Sequence, residues 1–241
     1  MDKVPLGLSF GAVATTYDRV RPPYFGRLLD RAQQTLELAP SAHVLDLGAG
    51  TGRLTRELVR RFARVVAVEP DDKMRALIDA GTILAGSAEA IPLESASVDA
   101  AFVGEAFHWF DARRAIAELA RVLVPRGCLA LISTHWWETE PPLPTRAEAL
   151  LREPYRRFQE ERRPRWDSAF ATSPFEPLRL ERFEEAITVD ADALLELYST
   201  TSSLAALPDD ERIDLLAAVR PKLTGPYRLP IKHELSWTRL A

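Results

Sequence analysis

The residues with the clearest chemical content are Asp46-Leu-Gly48-Ala-Gly50-Thr-Gly52 and, at the end of the next apolar run, Glu69. Glycines directly after an apolar run let a ligand approach the main chain, and a helix that starts there offers N–H groups with no partner in its own first turn. A carboxylate at the position of Glu69 can accept hydrogen bonds from both hydroxyls of a ribose. The two features together point to a ligand that contains adenosine. A turn that merely joins a strand to a helix is the alternative.

The glycine spacing departs from the G-x-G-x-x-G of nicotinamide dinucleotide sites. Gly52 lies two residues after Gly50, and Arg53 stands where the third glycine would be. An acid such as Asp46 is unfavourable beside a pyrophosphate and favourable beside an ammonium or a sulfonium. S-adenosylmethionine carries both of these cations and no phosphate. A nicotinamide-dependent oxidoreductase is therefore the reading that the spacing and Asp46 oppose.

Strands and helices must alternate to present this turn. His43 to Leu47 is a short apolar strand, and Leu54, Leu58, Val59 and Phe62 follow at helical spacing. Val65 to Val68, Thr82 to Ala85, Val98 to Val103 and Leu129 to Ser133 predict further strands. Helices are expected around Met74 to Ile78, and after Asp111 with Ile116, Leu119 and Leu123 on one face. Pro23 opens another, with Phe25, Leu28, Leu29, Ala32 and Leu36, whereas residues 10–22 show no clean period. Near the C-terminus, residues 178–187 and 229–239 predict two more strands, and helices begin after Asp190 and Pro208. The expectation is an α/β fold: a Rossmann-like, doubly wound, mostly parallel seven-stranded sheet with a helical cap insertion. One domain would span 1–241, with a cofactor-binding core over 10–134, the cap over 135–177 and C-terminal strands and helices over 178–241.

Composition narrows the partners. The 241 residues carry a net charge of −4, so no broad basic surface favours nucleic acid or an anionic membrane. The single Cys128 excludes an internal disulfide, no Cys/His cluster has the spacing of a metal site, and neither a secretion signal nor a membrane span is readable. A cytoplasmic protein acting on a small molecule is expected.

Val44-Leu-Asp-Leu-Gly-Ala-Gly-Thr-Gly52, Val66-Ala-Val-Glu-Pro70 and Gly86-Ser-Ala-Glu-Ala-Ile-Pro-Leu93 resemble successive motifs of the class I, type 11 S-adenosylmethionine-dependent methyltransferases. Ala106-Phe-His-Trp-Phe-Asp111, with Tyr17-Asp-Arg-Val-Arg-Pro22 upstream, is similar to a subgroup that includes trans-aconitate-methyltransferase-like proteins. The resemblance covers roughly residues 10–134. It implies that Gly48 and Gly50 face the methionine part of the cofactor, that Asp46 lies near its amino group and that Glu69 holds the ribose. It implies further that Met74 packs on the adenine and that the Ala88 N–H contacts the ring. Ser87 stands where such proteins often carry Asp, and Val124-Pro-Arg-Gly127 replaces the usual Arg-Pro-Gly-Gly. Tyr17 and Arg21 fall on an N-terminal lid, where they could meet the methionine carboxylate.

Methyl transfer from a sulfonium is an in-line displacement, in which holding the nucleophile against the methyl carbon supplies most of the acceleration. Ligands of open α/β sheets bind beyond the carboxyl ends of the strands, so Glu105 and Ala106 should touch the cofactor. His108 is the candidate general base for a hydroxyl acceptor. A carboxylate acceptor needs no base, and Arg19, Arg21 or His108 could then bind it. Trp109, Phe110, Trp136 and Trp137 could wall the acceptor pocket. A protein that binds the cofactor without transferring its methyl is the remaining alternative.

Overall fold

A computed structural model describes residues 14–22, 24, 26–135, 149–151 and 167–241. The strands are β1 (His43–Leu47), β2 (Arg64–Glu69), β3 (Thr82–Ala85), β4 (Val98–Gly104), β5 (Leu123–His135), β6 (Arg179–Val189) and β7 (Tyr227–Arg239). The helices are α1 (Ala14–Val20), α2 (Gly26–Thr35), α3 (Arg53–Leu58), α4 (Asp72–Arg75), α5 (Ala112–Val122), α6 (Asp167–Phe170), α7 (Ala191–Ser199), α8 (Ser202–Ala205) and α9 (Asp209–Val219). The strands form one seven-stranded sheet in the order β3-β2-β1-β4-β5-β7-β6. β1 is parallel to β2 and β4, β2 to β3, and β4 to β5. The chain steps outward on both sides of the β1–β4 pair, so the crevice beyond the carboxyl ends of these two strands is where such a sheet takes its ligand.

Strand periodicity sorts the core into two layers. Leu45, Leu47, Val66, Val68, Val103, Leu129 and Leu131 pack on one face, under Ala115, Ile116, Leu119 and Val122 of α5. Val44, Val65, Ala100, Phe102, Ala130 and Ile132 pack on the other, with Leu28, Leu29 and Ala32 of α2 and Leu54 and Leu58 of α3. Strands covered on both sides read as continuous apolar runs, which is why β1, β2 and β4 were legible. The same alternation puts Asp46 on the face of Val44, toward α3.

Several elements differ from expectation: α3 ends at Leu58, short of Val59 and Phe62, and Leu123, expected on the apolar face of α5, takes an extended conformation and opens β5 instead. β5 begins at Leu123 rather than Leu129, because residues 124–127 bulge out between the pairs Val98/Leu123 and Ala100/Cys128. Pro125 offers no N–H to the ladder, and Arg126 takes φ 67° in the bulge. α4 ends at Arg75 instead of reaching Ile78, since the chain turns at once toward β3 through Gly81 at φ 75°. α1 is a helix where no period was visible; Ala14 is its buried residue, so it has no apolar stripe to read.

The chain divides into two compact units, 1–22 with 135–163 and 184–232, and 23–134 with 164–183 and 233–241. In the first, α1 is tied to α7 by a two-pronged ion pair from Arg19 to Glu196, at 2.8 and 2.9 Å. Most of the expected cap, 136–148 and 152–166, lies outside the described residues, and with it Trp136 and Trp137. No helix among the described residues is long and apolar enough to cross a membrane.

Asp111 caps α5 by accepting the Arg114 N–H, and Leu119 of that helix is fully buried. Asp111→Ala should cost about 1 kcal/mol, and Leu119→Ala about 2–5 kcal/mol. Urea denaturation of both variants measures the two values.

Candidate functional site

At the end of β1 the chain turns through three left-handed glycines, Gly48, Gly50 and Gly52, at φ 71°, 59° and 82°. The Gly48 and Ala49 N–H groups both donate to Val68 O on β2, at 2.9 and 3.1 Å, which pins the turn to the neighbouring strand. Gly50 N–H donates to Glu69 Oε2 at 2.8 Å. A Cβ on Gly48 would lie 2.7 Å from Ala106 Cβ and 3.1 Å from Phe110 Cζ, so the β1 turn and the loop after β4 meet in van der Waals contact. A Cβ on Gly50 would stand 3.5 Å from Met74 Cε, an ordinary distance; backbone conformation is what demands glycine there.

Two acids flank the turn. Asp46 is 1% exposed, and its Oδ2 accepts the Thr55 hydroxyl at 2.6 Å while Oδ1 is buried with no hydrogen-bond partner among the described residues. Burial pushes its carboxyl up to about 7, against the Thr55 hydrogen bond and reinforced by the charge of Glu69. Glu69, 7% exposed, accepts Gly50 N–H on one oxygen and Asp71 N–H, at 2.9 Å, on the other. Burial raises its carboxyl too, partly offset by those two donors. Asp71 caps α4 by accepting the Lys73 and Met74 N–H groups, which places the buried Met74 beside the turn.

Each Glu69 oxygen keeps acceptor capacity for a ribose hydroxyl. A buried carboxylate oxygen without a partner is costly unless it is protonated or meets a cation. Asp46 Oδ1 is such an atom, and the space beside Gly50 is one that a side chain would enter, whereas the space beside Gly48 is closed by Ala106 and Phe110. These are the features that S-adenosylmethionine would complement and that a pyrophosphate would not.

The loop after β4 is held as tightly as the turn. Gly104 is approached so closely by Tyr24 that a Cβ would lie 2.4 Å from its Oη. Glu105 takes φ 57°, a left-handed conformation unusual for a residue with a side chain, and its N–H donates to Ile132 O at 2.9 Å. Its carboxylate accepts the Thr134 N–H, and the Thr134 hydroxyl is 3.0 Å from His233 Nδ1 in the interior. Strain held by several contacts is common at functional loops. Ala106 follows, and then the short helical turn Phe107–Trp109, on which His108 is exposed with its ring 4.7 Å from that of Trp109.

Asp46, Gly48, Gly50, Glu69, Met74 and Ala106 thus come together at one end of β1, β2 and β4. Ser87 and Ala88 follow β3, the neighbour of β2; Ser87 is bridged to Ala90 and Ala88 is buried. Tyr17 and Arg21 lie in the other unit, where the Arg21 guanidinium stacks 4.9 Å from the Tyr17 ring and donates to Thr200 Oγ1 and O. Sequence reasoning missed Thr55, Tyr24 and Thr134. A hydroxyl in the first turn of the helix after the glycines was the available signal for Thr55.

The raised Asp46 carboxyl has a stability consequence. Its ordinary value is 3.8 and its folded value about 7, so the folded chain holds an extra proton between them and loses stability as pH rises through that window. Asp46→Asn, which can still accept from Thr55, removes the penalty. Its advantage over the wild type in the ligand-free protein should grow from about pH 4 to 7, reach on the order of 2–4 kcal/mol, and then level off. Denaturation curves across this range check the trend; an advantage constant with pH would contradict it.

Residues 45–131 match the family described as methyltransferase domain. An uncharacterized methyltransferase of Mycobacterium tuberculosis is 38% identical over 224 residues, 90% of this chain and 86% of that one. The malonyl-[acyl-carrier protein] O-methyltransferase of Methylococcus capsulatus is 38% identical over 142 residues, 52% of this chain and 50% of its own. Among solved structures, the [4+2]-cyclase SpnF shares the fold, with a TM-score of 0.57 at 15% identity over 97% of this chain and 93% of that one. Likeness to the mycobacterial protein along nine tenths of the chain carries the conclusion that the glycine turn and its acids suggested: the chain belongs to the class I S-adenosylmethionine-dependent methyltransferases.

Proposed function

We propose that the protein methylates a carboxylate oxygen of a small molecule. The observation that carries this reading is the exposed imidazole of His108, on the loop whose Ala106 closes against Gly48. Likeness to a malonyl-[acyl-carrier protein] O-methyltransferase over half of the chain supports an acidic acceptor. So does the similarity of residues 106–111 to trans-aconitate-methyltransferase-like proteins. The net charge of −4 supports a small acceptor rather than nucleic acid.

In this reading Glu69 accepts the ribose hydroxyls, Met74 packs on the adenine, and Ser87 and the Ala88 N–H lie at the ring. The main chain of Gly48 and Gly50 faces the methionine part, with open space on the Gly50 side, Asp46 faces its ammonium, and Glu105 and Ala106 border the reacting end. The cofactor supplies an activated methyl on a sulfonium. The protein has to hold the acceptor oxygen in line with it, because orientation supplies most of the acceleration. A carboxylate is already a nucleophile at neutral pH, so His108 binds and orients it and takes no proton.

Calorimetry should show micromolar binding of S-adenosylmethionine and S-adenosylhomocysteine and none of NADH. Glu69→Ala should weaken both adenosyl ligands by about 10- to 100-fold, the range for hydrogen bonds to a charged group. With a carboxylic acid found by screening for methyl ester and S-adenosylhomocysteine, His108→Ala should raise KM and leave kcat within about threefold. A kcat loss of about 10²–10⁴ would instead make His108 a general base and the acceptor a hydroxyl. Tight adenosyl binding with no methylated product from any acid, phenol or alcohol would favour a cofactor-binding role without transfer.

A further inference from the structure

The buried acid of the turn does not stand alone. Thr55 is completely buried on α3, and its hydroxyl donates to Asp46 Oδ2 at 2.6 Å while Asp46 Oδ1 has no hydrogen-bond partner among the described residues. A hydroxyl held on one oxygen fixes the carboxylate plane and so the direction of the second oxygen. It also favours the ionised form, since it is donated to the charged acceptor. We propose that Thr55 is a positioning residue for cofactor binding: it orients the Asp46 carboxylate and couples the arrival of a cationic ligand to the loss of a proton from that acid. The inference rests on the proposed placement of Asp46 at the cofactor's ammonium.

The surroundings of Asp46 leave the proton little else to answer to. On β2 the residue in register with Asp46 is Ala67, and two residues further along that strand Glu69 brings a negative charge that opposes ionisation. On β4 the residue in register is Phe102, which carries no charge. α3 contributes the Thr55 hydroxyl and its main-chain N–H, both favouring the charged form. Arg75, the cation that acts on Glu69, is not among the groups that shift Asp46. With the carboxyl placed near 7, the free protein is a mixture of protonated and ionised forms at neutral pH. A bound ammonium selects the ionised one and the proton leaves to solvent.

The test is calorimetry with S-adenosylmethionine between pH 5.5 and 7.5, below the range of about 7.7–8.0 in which an α-amino group itself titrates. Wild-type affinity should rise roughly tenfold or more across this interval. In two buffers of different ionisation enthalpy at pH 7, binding should release about half a proton, a measurement that needs no variant. Thr55→Val keeps the main-chain donor and the volume but removes the hydroxyl. It should move the rise to higher pH, so that binding is weakened about tenfold at pH 6.5 and progressively less toward pH 7.5. Thr55→Ser should restore the wild-type profile. Affinity independent of pH, no proton release, or a Thr55→Val loss equal at every pH would each overturn the coupling while leaving the cofactor site standing. A wild type that binds no adenosyl ligand at any pH would overturn the site and this inference together.

Discussion

The constraint on which the site depends is a main chain that must turn left-handed at Gly48, Gly50 and Gly52 while staying bonded to the strand beside it. Side chains at these positions would be strained by φ alone, and at Gly48 a Cβ would also collide with Ala106. Once Val68 O has taken the Gly48 and Ala49 N–H groups, Gly50 falls within reach of Glu69, and the chain exits through Gly52 into α3. α3 then presents Thr55 to Asp46. Turn, strand end and helix start are therefore one hydrogen-bonded unit, which holds the candidate ligand groups in place before any ligand arrives.

Two buried acids at adjacent strand ends are an expensive arrangement for a ligand-free protein. Apolar residues there would pack without the desolvation cost, as Leu45, Leu47 and Val68 do on the opposite face. The arrangement makes sense if a cation completes it, because the same burial that penalises an isolated carboxylate strengthens its attraction to an ammonium. Instability of this kind, relieved on binding, is a common exchange of stability for function.

Strands β1, β2, β4 and the second half of β5 could be read from the sequence because they are covered on both faces and appear as apolar runs, whereas β3, an exposed edge strand, was legible only as a short apolar run at the expected place in the alternation. The glycine turn and Glu69 were legible because their chemistry is local to a few residues. Other features are set by tertiary contacts that leave no periodic mark. Glu105 is left-handed where it bonds to Ile132 and Thr134, and nothing about a glutamate announces that conformation. Thr55 carries only a local signal, a hydroxyl in the first turn after the glycines, and its partner Asp46 is set by the fold, which brings β1 beneath it. The bulge at residues 124–127 hid the start of β5, since Pro125 and Gly127 read as a turn between elements. α1 has too little buried surface to show a helical period.

The account stands on the claim that the end of β1 and β2 holds the adenosyl group. A crystal structure of the protein grown with S-adenosylhomocysteine tests it most directly. The account predicts the ribose hydroxyls on Glu69, the adenine against Met74 and the amino group next to Asp46, with the glycine turn unchanged. A ligand bound elsewhere, or a ribose that makes no contact with Glu69, would contradict it.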